Sequence, residues 1–240
     1  MKTLFLVTAT VLLLVSCQGT KTPPAAGAAP SKADVSYDFG VLLGNSLKST
    51  AVKLDYDAFV NGLKDVLDKN APKVTLEAAN QVVQTAIADA QKIQGEENLV
   101  KEAAFLEANG KKAGVKTTAS GLEYEVLQEG TGAKPTDTDT VTVDYVGKLV
   151  DGTTFDSSVE RKQPAVLTLN QVIPGWTEGI QLMSVGSKYK LTIPSKLAYG
   201  TAGAGGGKIA PNSTLIFEVT LISIQPPAAK ALTLPKTTKP

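Results

Sequence analysis

Few side chains in this 240-residue chain could do covalent or acid–base chemistry. There is no histidine, which removes imidazole triads, imidazole general bases and most zinc sites together. Cys17 is the only cysteine and stands so near the start that a thiol nucleophile or a disulfide framework is not expected. What remains is chemistry by carboxylates, hydroxyls or shape. The aromatic residues are unevenly spread: seven of the 13 fall within 121–225. Five of them, Tyr145, Phe155, Trp176, Tyr199 and Phe217, sit at the ends of strand-like segments or beside loops. Trp176 is the only tryptophan, and Arg161, the only arginine, follows Asp156 by five residues. A core tryptophan and a surface arginine would be the plainer account of both. The glycine-rich stretch 200–212, GTAGAGGGKIAPN, is no phosphate cradle, because Lys208 is followed by Ile209 and not by Ser or Thr. No cofactor or metal site is read. Lys plus Arg is 24 against 23 for Asp plus Glu, so no field favours nucleic acid.

The elements that must position these residues fall into two unlike halves. Within 121–225 the pattern is antiparallel β. Val141, Val143 and Tyr145 alternate, as do Tyr189, Leu191 and Ile193, and then Leu215, Phe217, Val219 and Leu221. Asp151-Gly152 reads as a hairpin turn. One short helical stretch, from Trp176 to Met183, can cover the concave side of the sheet. Residues 35–112 read as helical. Tyr56, Phe59, Val60, Leu63, Val66 and Leu67 form one apolar stripe, with Asp55 as N-cap and Asn70-Ala71-Pro72 as the stop. A second helix runs from Leu76 to Asn109, with Thr75 as N-cap. At ~1.5 Å per residue it exceeds about 45 Å, so its far end must project or lie on another surface. Gly95 is where a kink would cost least.

The ends carry different information. Residues 1–16 have a basic Lys2 and an apolar run, Leu4 to Val15, shorter than the ~20 residues of a spanning helix. They are expected to be a signal peptide. Leu14-Val15-Ser16-Cys17 resembles the bacterial lipobox, which implies acylation of Cys17 and a lipid anchor in the cell envelope. Gln18 in the next position resembles lipoproteins passed to the outer membrane, on its periplasmic or surface side. Residues 17–34 and 226–240 are small, Pro-rich and short of large apolar groups, and read as a tether and a disordered tail.

Three stretches in order, VTVDYVGKLVDGTTFDSS (141–158), VIPGWTEGIQLMSVGSKYKLTIPSKLAYG (172–200) and IAPNSTLIFEVTLISI (209–224), closely resemble the FKBP-type peptidyl-prolyl isomerases. YDFGVLLGNSLK (37–48) and AAFLEANGKKAGVKTTASGLEYEVL (103–127) are similar to the helical domain of Mip-like members. The resemblance implies an α+β protein in which a half-open antiparallel sheet wraps a short helix. An all-α N-terminal domain and a long connecting helix precede it. The implied divisions are 35–75 for dimerisation, 76–112 for the connecting helix and 113–225 for the isomerase domain.

Carried over by position, Trp176 forms a pocket floor and Tyr145, Phe155, Val172, Ile173, Tyr199, Ile209 and Phe217 form its walls. Asp156 stands at the mouth, with Arg161 orienting Asp156 and Tyr145. The backbone N–H of Ile173 and the hydroxyl of Tyr199 are the implied donors to ligand carbonyls. Ala165 stands where many members have an aromatic wall, which leaves that side more open. The implied activity is X-Pro cis–trans isomerisation during folding of exported proteins. The implied partners are proline-containing unfolded chains, a second copy in a homodimer, the membrane, and macrolides such as tacrolimus and rapamycin. Since every pocket position lies between 145 and 217, residues 114–225 are expected to suffice for a short peptide. The alternative reading is a non-catalytic chaperone or surface interaction lipoprotein on the same fold.

Overall fold

The computed structural model describes residues 30–68 and 70–225. The signal peptide, Cys17, most of the expected tether and the C-terminal tail lie outside the described residues. The chain divides into two units, 1–43 and 44–240. Helix α1 (Lys32–Lys48) begins in the first unit and ends in the second.

Local capping sets the next two helices. The Asp55 carboxylate accepts from the Ala58 amide (2.9 Å) and starts α2 (Tyr56–Leu67). The Thr75 hydroxyl accepts from the Ala78 amide (3.2 Å) and starts α3 (Leu76–Gly110). Helix α3 runs unbroken through Gly95, the position where a kink would cost least. Its missing side chain serves close approach instead: a Cβ there would stand 3.1 Å from Cβ of Pro211. Of the apolar positions along α3, Ala86, Ile87, Ala90 and Leu106 are half-buried and others stand exposed. Val83, Ile93 and Val100 are 53, 58 and 73% exposed, while Gly95 and Asn109 are buried and Asn98 and Glu102 half-buried. The second half of α3 is hydrogen-bonded to its own β domain through Asn98, Glu102 and Asn109.

The strands follow in the order β1 (Val115–Thr117), β2 (Glu123–Gln128), β3 (Thr140–Leu149) and β4 (Thr154–Ser157). After the single turn α4 (Ser158–Arg161) come β5 (Ala165–Thr168), α5 (Pro174–Gln181), β6 (Lys188–Ile193) and β7 (Leu215–Gln225). They form one antiparallel sheet in the order β1-β2-β6-β7-β3-β4. β5 pairs with the first half of β3 and β4 with the second half, along the same edge. The period-two pattern puts Val141, Val143, Leu191, Ile193, Leu215, Val219 and Leu221 on one fully buried face. Ile180 of α5 and Met183, also fully buried, cover that face. This is the α+β architecture expected, with a half-open sheet around a short helix.

Candidate active site

A cavity of about 410 Å³ opens between α5, the β3–β4–β7 region and the segment after β6. Its floor is Trp176, 5% exposed, three residues into α5. Pro174 at the first helical position starts that helix without needing an amide donor. The Ile173 carbonyl accepts from the Trp176 amide (2.9 Å), which fixes the indole at the helix mouth. The walls meet the floor edge to face. Trp176 lies 5.1 Å from Tyr145 at 87° and 5.1 Å from Phe217 at 83°, and Phe155 lies 5.5 Å from Phe217 at 89°. Such arrangements suit the ring quadrupoles and hold the box rigid. The indole N–H of Trp176 is buried and meets no acceptor among the described residues.

Gly147 makes the box possible. A Cβ at that position would come within 2.8 Å of the Phe155 ring, so the ring can lie on the strand only where there is no side chain.

One polar cluster stands at the edge of the cavity. The Tyr145 hydroxyl donates to Asp156, and the Arg161 guanidinium pairs with the other Asp156 oxygen. Arg161 Nη2 also donates to the Tyr145 hydroxyl (3.0 Å), closing a triangle. The local sequence builds this geometry. Ser157 caps α4 by accepting from the Glu160 amide (3.1 Å), and one helical turn returns Arg161 over Asp156. The Ser158 hydroxyl accepts from the Tyr145 amide (2.8 Å), pinning that turn to β3. Burial pushes the Asp156 carboxyl up, but the Tyr145 hydroxyl and the Arg161 guanidinium outweigh it and hold it below the usual carboxylate range. Burial, then the hydrogen bond to Asp156, pushes the Tyr145 phenol up. The carboxylate is ionised and the phenol neutral at physiological pH. Neither is poised near neutrality for proton transfer.

Tyr145, Phe155, Asp156, Val172, Ile173, Trp176, Tyr199 and Phe217 all border the cavity, and Arg161 reaches it through Asp156 and Tyr145. Tyr199 is 40% exposed, at the rim. Ile209 departs from the expectation. It does not line the cavity but is buried in the core, paired through its backbone with Ala204. The glycine-rich turn before it bends its side chain inward. Two lining residues, Leu167 and Gln171, were not read from the sequence. Leu167 could have been found by alternation with Ala165 along β5; Gln171, at the end of the 3-10 turn Leu169–Gln171, carried no signal. Ala165 is half-buried against the core. Among the described residues, no three His, Cys, Asp or Glu side chains converge as a metal site.

Comparison with known proteins bears on this geometry. The family model described as FKBP-type peptidyl-prolyl cis-trans isomerase matches residues 131–222. The one described as the domain amino terminal to it matches residues 32–126. The FKBP-type peptidyl-prolyl cis-trans isomerase FkpA of Aeromonas hydrophila is 46% identical over 220 residues, covering 86% of this chain and 81% of that protein. The outer membrane protein MIP of Legionella longbeachae is 38% identical over 227 residues, covering 92 and 97%. The crystal structure of FkpA from Escherichia coli superposes with a TM-score of 0.64 at 38% identity, covering 83% of this chain and 99% of that one. With the aromatic box and these relatives in agreement, the chain belongs to the FKBP-type peptidyl-prolyl cis-trans isomerases.

Proposed function

We propose that the X-Pro bond is turned in the cavity over Trp176, with Tyr145, Phe155 and Phe217 as walls and Tyr199 at the rim. Rotation about this bond needs no nucleophile and no proton transfer. Its barrier, ~18–20 kcal/mol, is the loss of amide resonance. A twisted amide is less charge-separated than a planar one, so an apolar, water-poor box stabilises it relative to the ground state. Asp156, held by Tyr145 and Arg161, positions the chain at the mouth; the Ile173 amide and the Tyr199 hydroxyl donate to its carbonyls. The observation that carries this reading is the edge-to-face packing of Tyr145, Trp176, Phe217 and Phe155 around an open volume. A prolyl cis–trans assay on a tetrapeptide tests it. Phe155→Ala, Trp176→Leu and Asp156→Ala should each lower kcat/KM, and unchanged rates in all three would move catalysis elsewhere.

The same box is the site for macrolides such as tacrolimus and rapamycin. The clients are proline-containing, unfolded exported chains, and the protein acts as a homodimer. Exposed Tyr56, Val60, Leu63 and Leu67 on α2 support a helical interface. The lipobox-like Leu14–Cys17 supports attachment to the cell envelope by acylation, with the outer membrane as destination. One relative carries the name outer membrane protein. No described helix is long and apolar enough to cross a membrane. Intact mass of the mature protein, with Cys17→Ser as control, tests the anchor.

A further inference from the structure

We propose that the second half of α3 belongs to the catalytic apparatus: Glu102 and Asn98 are positioning residues that hold the segment 195–214 and, through it, Tyr199 at the cavity rim. The proposal rests on the isomerase reading and adds to it. Segment 195–214 leaves the end of β6, carries Tyr199 past the cavity and returns to the start of β7. Inside it the Ala204–Ile209 backbone pair and the Asn212 amide on the Gly200 carbonyl close the turn, yet the segment is costly to order. Gly200, Gly203, Gly205, Gly206 and Gly207 all take positive φ, and glycine backbone loses the most freedom on ordering. Contacts from outside the segment add to its restraint, and α3 supplies several of them.

One carboxylate ties the two ends together. Glu102 Oε2 accepts from the Ser195 amide (2.6 Å) and from the Thr214 hydroxyl (2.8 Å), and Oε1 accepts from the Ser195 hydroxyl (3.1 Å). Ser195 and Thr214 are 2 and 4% exposed, so these donors depend largely on Glu102 for an acceptor. Ser195 opens the 3-10 turn Ser195–Leu197, two residues before Tyr199. Thr214 stands just before β7, which carries Phe217. A second tie lies one turn earlier on the helix. Asn98 Nδ2 donates to the Pro211 carbonyl (2.8 Å), and Asn212 Nδ2 donates to the Gly95 carbonyl (3.1 Å). The Asn212 amide in turn donates to the Gly200 carbonyl (2.7 Å), next to Tyr199. The second tie thus ends on a backbone neighbour of the rim tyrosine, and the first on the turn that precedes it. Asn98 and Glu102 are four residues apart and share a helix face. Gly95, Asn98 and Glu102 form a seam of close approach and hydrogen bonds between α3 and segment 195–214.

The chemistry distinguishes a tie from a merely buried charge. Glu102→Gln keeps every contact: its carbonyl accepts from the Ser195 amide and Thr214, and its amide donates to a rotated Ser195 hydroxyl. Glu102→Ala leaves three buried donors without an acceptor. In the full chain, Glu102→Ala should lower tetrapeptide kcat/KM about tenfold. Amide exchange should speed up within 195–214 and not in β3 or α5. Glu102→Gln should stay within about twofold of the wild type by both measures. Should Glu102→Ala not fold, Asn98→Ala and Thr214→Val each remove one bond and should give about a two- to threefold loss. Wild-type kcat/KM in Glu102→Ala overturns the proposal, as does equal loss in Glu102→Gln. Faster exchange spread across the whole sheet overturns it too. A wild-type chain with no isomerase activity would reject the isomerase reading itself, and the exchange comparison would still decide the tie.

Discussion

Gly147 on β3 and Phe217 on β7 are register partners, and a Cβ on Gly147 would stand 2.7 Å from Cε1 of Phe217. It would also lie 2.8 Å from Cζ of Phe155. Two cavity walls thus rest on one missing side chain. Gly147→Ala must push both rings toward the cavity or bend the strand. Overpacking of this kind costs about 1–3 kcal/mol. The melting temperature should fall by several degrees and kcat/KM should drop about tenfold, as displaced walls no longer fit the twisted bond. Thermal melts and the tetrapeptide assay check both. An alanine variant with intact activity would mean that the Phe155–Phe217 pair is not the wall that matters.

The pH dependence should be flat. Asp156 is held below its ordinary value, so its contribution is complete above the unfolded value of about 3.9 and is lost as pH falls through the folded value. Tyr145 is pushed above its ordinary value and stays neutral until well past pH 8. With no histidine to titrate, kcat/KM should vary less than about twofold between pH ~5.5 and ~8.5. A bell-shaped profile centred near neutrality would show acid–base catalysis by a group not assigned here.

Trp176 gives a direct optical readout, being the only tryptophan in the chain. A proline peptide or tacrolimus seated on it should change its emission, and Phe155→Ala should weaken the apparent affinity by about tenfold. An emission spectrum indifferent to saturating tacrolimus would reject macrolide binding over Trp176.

Truncation before the β domain should lower stability and activity together. Residues 114–225 contain every cavity position, yet they lack Asn98, Glu102 and Asn109. Asn109 Nδ2 donates to Glu123 (2.7 Å), a carboxylate only 4% exposed. Losing a hydrogen bond to a carboxylate costs about 1.5–3 kcal/mol. A chain starting at 114 should therefore melt lower and act more slowly than one starting at 76. Equal melting temperatures and rates would show that the β domain is complete without α3.

The dimer is testable apart from the site. Leu63, on the exposed face of α2, is far in sequence from any cavity residue. Leu63→Glu should convert a sedimenting dimer to a monomer with unchanged tetrapeptide kcat/KM. Refolding of a protein client should slow, since two linked pockets raise the effective concentration of the second. A wild-type monomer at tens of micromolar would remove the interface.

Some of this was written in short-range pattern. Asp55 and Thr75 start their helices where a capping side chain and an apolar stripe coincide. β3, β6 and β7 follow period-two alternation because each has one buried face. The aromatic set and the Asp156–Arg161 pair were legible too, through the resemblance of three ordered stretches. Tertiary structure decided what periodicity cannot express. Hydrophobic spacing marks which helix face can be buried, but not whether a polar face has partners waiting on another element. So α3 docks through Gly95, Asn98 and Glu102, whose partners Pro211, Ser195 and Thr214 lie about a hundred residues away. Gly95, read as a weak point, became a contact because close approach to Asn212 depends on a chain folded elsewhere. Ile209 turned inward for the same reason: its direction is set by the pairing of Ala204 with Ile209 across a glycine turn, and not by its own neighbours in sequence.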